Sequence, residues 1–326
     1  MKMGLLILGL LLAVIVSVGW GTVAVPITDV IPALLGSADA KTSAIVVDIR
    51  MPRTLLAVLV GAGISASGAA IQGLFRNPLA DPALIGVSAG AALFAALFVL
   101  LGGATGFALI GLAGSAFMGG LSATWIVLYV GSRTGGLSTM LLAGIAINAI
   151  ALSGVGLLSY LSTDLQLRTI SFWALGSLNG ANWTAVLVAL VIPLALLLLS
   201  RESVQLDIVT LGDEEAQHLG ISHEALRRRV VFLAAVIVGI GVALTGVIAF
   251  LGLVVPHLVR LSMGSRHQVV LPASALLGGL LLLVADTLAR TVLAPAELPV
   301  GILTALVGGP FFIYLILREQ RGRTLL

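Results

Sequence analysis

The amino-acid sequence predicts an all-α polytopic membrane protein, with ten transmembrane helices, both termini cytoplasmic and a weak inverted repeat. Three observations carry this prediction. Hydrophobic residues make up 59% of the 326 and charged residues only 10%, against about 25% charged in an ordinary soluble domain. Such a chain cannot cover its own surface with charge in water. Mean hydropathy is +1.18, and apolar runs recur along the whole length. The basic residues between those runs are distributed unevenly, as orientation signals are. A span needs roughly 20 apolar residues, so the chain reads as a single transmembrane domain, 1–326, with no room for a large soluble one.

The first run, 4–25, follows Met1-Lys2-Met3 and resembles a signal peptide at its start. It continues apolar through Trp20 to Val25 with no small-x-small cleavage site after it, so it reads as the first membrane helix. Further runs lie near 54–75, 84–101, 106–131, 138–161, 183–200, 230–251, 270–289 and 299–317. Leu253 to Met263 is short and holds Pro256 and His257, and counting it as a helix makes ten.

Loop charge decides that count. With ten spans and an inside N-terminus, Lys2, Arg76, Arg133, Arg201, Arg227, Arg228, Arg229, Arg260, Arg266, Arg318, Arg321 and Arg323 are cytoplasmic. Lys41, Arg50, Arg53, Arg168 and Arg290 are outside. Twelve against five is a clear positive-inside bias. Gly68 to Pro78 and Gly246 to Pro256 are spaced alike, in helices of opposite direction, which suggests the inverted repeat.

Composition also excludes function classes. The chain has no cysteine, which removes disulfides and thiolate metal sites. A pI near 9.8 invites nucleic acid, but the net charge is +3 and scattered, without the clustered basic face that binding needs. His218, His223, His257 and His267 form no ligand-spaced pair and read as structural. Carboxylates inside the apolar runs are nearly absent, which argues against a proton- or sodium-coupled carrier. No nucleotide motif is present: Lys41-Thr42 follows Ala40, where a phosphate loop needs glycine. ATP and Mg would belong to a partner.

Four places hold candidate chemistry. Arg50, Arg53 and Arg290 stand at the outer ends of helices, against the charge rule. They either anchor helix ends by snorkelling or form a basic ring that pairs with carboxylates of a docking partner. Arg76-Asn77-Pro78-Leu79-Ala80-Asp81-Pro82 is either a tight turn or a constriction, since irregular backbone at membrane depth is protein-buried or lines a cavity. The polar stretch 201–229 includes a short amphipathic helix near 211–220, ended by glycine. It is either a solvated loop or an element whose Leu211, Ala216 and Leu219 side enters a partner's groove. Arg168, in the external segment 166–178, either attracts an anionic substrate or caps a short helix.

Taken together, Arg50-Met51-Pro52-Arg53 through Gly61, Ser67-Gly68, Gln72, residues 76–82, Gly86, Gly90, Gly246, Gly252, Pro256-His257 and Glu297-Leu298-Pro299-Gly301 make the chain similar to one family over nearly its whole length. It resembles the permease subunits of type II ABC importers for heme, iron-siderophores and cobalamin. The resemblance implies a homodimer in the bacterial inner membrane, two ATP-binding subunits, a periplasmic binding protein and a path along the dimer interface. It implies that Arg50, Arg53 and Arg290 dock the binding protein. Asn77, Leu79, Thr139 and Met140 would form cytoplasmic gates, although the family more often has a small polar residue where Met140 stands. Leu211, Gly212, Glu215, Ala216 and Gly220 would couple to the ATPase, and Arg168 would stand at the path entrance. Residues 166–178 look most like those of heme permeases, with siderophores and cobalamin as the alternatives. The chain itself is then expected to bind no cofactor and to be no enzyme. A stand-alone carrier or channel is the rival class.

Overall fold

The computed structural model describes residues 1–323 apart from 22, 24, 103–107 and 135–136. Residues 106 and 107 of the fourth run, and the side chains of Arg318, Arg321 and Arg323, lie outside the described part. Among the described residues the regular structure is all helical. α1 (Lys2–Gly19) and α2 (Ile27–Leu34) precede α3 (Ala40–Ser43), which continues through a π-helical stretch (Ala44–Arg50) into α4 (Met51–Leu74). A 3-10 turn (Pro82–Ile85) leads to α5 (Val87–Leu100), α6 (Ala108–Thr134), α7 (Leu137–Leu161) and α8 (Asp164–Ala174). Then follow α9 (Trp183–Ala189), α10 (Val191–Arg201), α11 (Ser203–Val209) and α12 (Asp213–His218). The chain closes with α13 (His223–Thr245), α14 (Leu251–Met263), α15 (His267–Ala289) and α16 (Val300–Arg323).

Among the described residues, seven helical stretches are long and apolar enough to cross a membrane: Lys2–Gly19, Ala40–Leu74, Ile110–Arg133, Leu137–Leu161, Trp183–Arg201, His223–Thr245 and His267–Ala289. Val87–Leu100, Leu251–Met263 and Val300–Tyr314 are shorter apolar helices.

Boundaries differ from the sequence expectation in three places. The first helix stops at Gly19 rather than 25, and Arg50 hydrogen-bonds the carbonyls freed there. The second begins at Ala40 rather than 54, because Asp39 caps it through the Thr42 N–H and the helix carries on through polar residues. The run 230–251 breaks after Thr245, where Gly246 (φ +72°) and Phe250 (φ +69°) take left-handed backbone before α14 starts. The spaced Gly–Pro pairs occupy unlike settings: Gly68 is mid-helix and Pro78 in a turn, whereas Gly246 marks the break and Pro256 lies inside α14.

The core is built around α4, in which every residue from Val60 to Leu74 except Ala62 is buried. Lipid tails are as apolar as leucine, so helices in a membrane associate through close packing rather than hydrophobic drive. α4 supplies the closeness with glycine. A Cβ added at Gly61 would run into the Gly278 carbonyl of α15, one at Gly68 into the Gly252 carbonyl of α14, and one at Gly63 would stand 2.7 Å from Ile237 of α13. α5 and α6 repeat the device where Gly90 meets the Gly119 carbonyl. α4 and α15 run antiparallel, so Arg53 meets Asp286 at one end and Gly73 meets His267 at the other.

Candidate functional site

At the Arg53 end of the bundle, four chain segments converge on three arginines. Arg53 donates from Nε and Nη2 to the Asp286 carboxylate at 2.8–3.0 Å, and from Nη1 to Glu297 at 2.9 Å and the Asn179 side chain at 3.0 Å. Arg290 donates to the carbonyl and hydroxyl of Ser17 at 2.7 Å, and the Ser17 hydroxyl also bonds Thr54 at 2.9 Å. Arg50 donates to the carbonyls of Val18 (2.9 Å), Gly19 (2.8 Å) and Val23. It thereby satisfies orphan acceptors at the negative end of the α1 dipole.

Within this chain Arg50, Arg53 and Arg290 are turned inward. Their relative exposures are 4%, 7% and 5%. A guanidinium leaves water only where its donors are met, and here the protein itself meets them. The exposed groups at the mouth of the cluster are Asn179 and the partly exposed Glu297.

The opposite end of α4 opens onto a basin of about 660 Å³. Its lining includes Gln72, Arg76 and Asn77 from the end of α4 and the turn after it, Asp207 of α11, Arg260 of α14, and Arg266 and His267 at the start of α15. Gln72 is buried and ties α4 to α14. Its amide donates to the carbonyls of Gly252 (3.4 Å) and Leu253 (3.3 Å), and its oxygen accepts from Arg260. Asp207 accepts from the His267 N–H at 2.8 Å and bonds the ring Nδ1 at 2.6 Å, joining α11 to α15.

The turn 76–82 carries the first candidate gate. Asn77 accepts from the Leu79 N–H at 2.9 Å, which fixes the turn, and Leu79 is 44% exposed. Asp81 accepts from the Ala83 N–H at 2.8 Å and caps the 3-10 turn, and burial raises its carboxyl against that bond. α7 holds the turn from the other side: Asn148 donates to the Ala83 carbonyl at 2.9 Å, and Gly144 leaves room for the Leu84 carbonyl. Thr139 is half-buried on the first turn of α7. Met140 is 1% exposed and packs on α6, where a Cβ at Gly131 would stand 3.0 Å from its own. In this chain the Met140 side chain is packed within the fold.

Within 211–220, Gly212 (φ +143°) and Gly220 (φ +77°) bracket α12 with backbone that favours glycine. Ala216 is fully buried against the chain itself, while Leu211 (68%), Leu219 (62%) and Glu215 are exposed. The apolar side is thus divided, with its small residue docked on the chain and its two leucines facing outward. Arg168 is exposed on α8, beside Leu165 and Leu167. Thr163 and Gln166 form a capping box at the start of that helix, and Arg168 lies in its middle.

A family model for the FecCD transport family matches residues 9–318. The chain belongs to the FecCD transport family. It is 49% identical over 283 residues to the hemin transport system permease protein HmuU of Yersinia pestis, covering 85% of this chain and 84% of that protein. Identity to the vitamin B12 import system permease protein BtuC of Salmonella typhi is 40%, over 87% of this chain and 86% of that one. A solved structure described as an inward-facing conformation of a proposed metal-chelate type ABC transporter superposes with a TM-score of 0.86, at 34% identity, covering 96% and 97% of the two chains.

For a FecCD chain, the residues that sequence reasoning missed are the partners. Asp286 is the one carboxylate inside the apolar runs, near the end of 270–289, and that is a visible signal that it meets a cation. Nothing local points from Arg53 to Asn179, or from His267 to Asp207.

Proposed function

We propose that this FecCD chain is the membrane-spanning permease of an ATP-driven importer that moves heme from the periplasm to the cytoplasm. The observation that carries the cargo is the relative itself: identity is 49% to a hemin permease against 40% to a cobalamin permease. The single domain crosses the bacterial inner membrane ten times with both termini inside. The seven long apolar helices and the three shorter ones support that count. Two copies form the path. Two ATP-binding subunits, carrying ATP and Mg, engage 201–229 through Leu211, Gly212, Glu215, Ala216 and Gly220, and Leu211 and Leu219 are the apolar side chains left exposed for them.

A periplasmic binding protein docks over the end closed by Arg50, Arg53 and Arg290. In this reading the arginines form a rigid floor, and Asn179 and Glu297 are the groups within reach. Arg168 stands at the entrance. Asn77, Leu79 and Thr139 lie about the cytoplasmic exit. Docking and ATP each shift the conformational balance only by their differential affinity for its states.

The test is reconstitution of the chain with its companion ATPase and binding protein in liposomes. ATP-dependent accumulation of heme, outcompeting cobalamin and ferric siderophores, is the expected result. Gradient-driven uptake by the chain without any ATPase would instead make it a stand-alone carrier. ATP-dependent uptake of cobalamin in preference to heme would keep the machine and change the cargo.

A further inference from the structure

We propose that the basin at the Gln72 end of α4 is a binding site for a phosphate-bearing anion, either the headgroup of an anionic phospholipid or a soluble phosphate ester. Three guanidinium groups line it, Arg76, Arg260 and Arg266, against a single carboxylate, Asp207. That carboxylate is already committed, accepting from the His267 backbone and bonding its ring. Arg260 is held in place from behind: one amino group donates to Gln72 and the other to the Ala69 carbonyl at 3.4 Å. Neither Arg260 nor Arg266 pairs with a carboxylate among the described residues.

A fixed guanidinium fork matches the spacing of phosphate oxygens. Basic pockets between membrane helices on the cytoplasmic side hold anionic headgroups for the same reason. The start of α15, a 23-residue helix, contributes its positive dipole end to the same wall. At about 660 Å³ the space is large enough for an ester as well as a bare ion. Thr210 also lines it, one residue before the 211–220 segment. An occupant would therefore tie α4, α11 and α15 together at the root of that segment. Only the choice of leaflet rests on the proposed orientation; anion binding itself does not.

The experiment uses the purified full-length chain in a neutral, phosphate-free detergent. Inorganic phosphate, glycerol 3-phosphate and dihexanoyl phosphatidylglycerol are titrated separately, with chloride at matched ionic strength as the control. Binding is read from the melting midpoint and by native mass spectrometry. The expected result is saturable binding of at least one phosphate compound, weakened about tenfold or more in Arg266→Glu, as losing one charge-assisted contact implies. Arg266 is exposed at the rim, so that variant is expected to fold, and Arg260→Gln serves as a second variant. Binding of phosphatidylglycerol alone assigns the site to lipid, whereas equal binding of glycerol 3-phosphate assigns it to a soluble ester. The proposal is overturned if no phosphate compound saturates, or if the folded Arg266→Glu variant binds as the parent does.

Discussion

A guanidinium taken out of water costs several kcal/mol unless its donors find acceptors, and Arg53 finds two carboxylates and an amide on three distant segments. The two ion pairs differ in setting. Asp286 is 1% exposed at its side chain, while Glu297 keeps 26%. Removing Asp286 strands a buried cation, so Asp286→Ala is expected to destabilise the folded chain by about 3–5 kcal/mol. Glu297→Gln, at a wetter position and with Asp286 still in place, should cost about 1 kcal/mol or less. Chemical denaturation of the two variants in one detergent checks the order, and equal losses would contradict the burial argument. Charge reversal at Arg53 is a poor probe of docking for the same reason, because it dismantles the helix junction before any partner arrives.

Elements show the same dependence on distant partners. α8 is short, and the Thr163–Gln166 box begins it, with the Gln166 amide also reaching the last carbonyls of α5 at Val99 (3.1 Å) and Leu100 (3.2 Å). One side chain thus serves two helix ends. Thr163→Ala is expected to cost about 1 kcal/mol, the usual worth of a cap, whereas Gln166→Ala should cost more because orphan carbonyls of α5 lose their donor. Amide exchange at 164–167 and thermal melts test this ranking. The glycine that ends 211–220 was read from the sequence, whereas the Thr163–Gln166 box came only with the structure. The break after Thr245 was not legible either. Val247 to Phe250 is as apolar as the helix before it, and there the carbonyl of Trp173 crowds Gly246 and that of Val247 lies against Gly176. These close approaches, which leave no room for a Cβ at Gly246 or Gly176, accompany the break, and no periodicity encodes them.

At the level of the whole molecule, hydropathy and loop charge were enough to read an all-helical membrane chain, because lipid leaves helices as the only open-ended way to satisfy backbone groups. What they could not read is which charges face water. Arg50 and Arg290 obey no rule of loop charge once Ser17, Val18 and Gly19 are seen to bond them. Orientation is testable with unusual economy because the chain has no cysteine. Arg168→Cys, on exposed α8, is expected to react with an impermeant maleimide in spheroplasts. Gly220→Cys should react only after permeabilisation. Labelling of Gly220→Cys from outside would overturn the ten-span orientation.

The glycine contacts along α4 have a mechanical consequence. Backbone lies against backbone at Gly61 and Gly68, so at those two points no side chain stands between the helices to change rotamer and absorb a displacement. α4 spans about 29 Å from Arg53 to Gln72. A push at one end travels along a stiff rod wedged between α14 and α15, and the far end moves with little lag or loss. The unwound stretch after Thr245, by contrast, has left the helical ladder that makes α4 stiff.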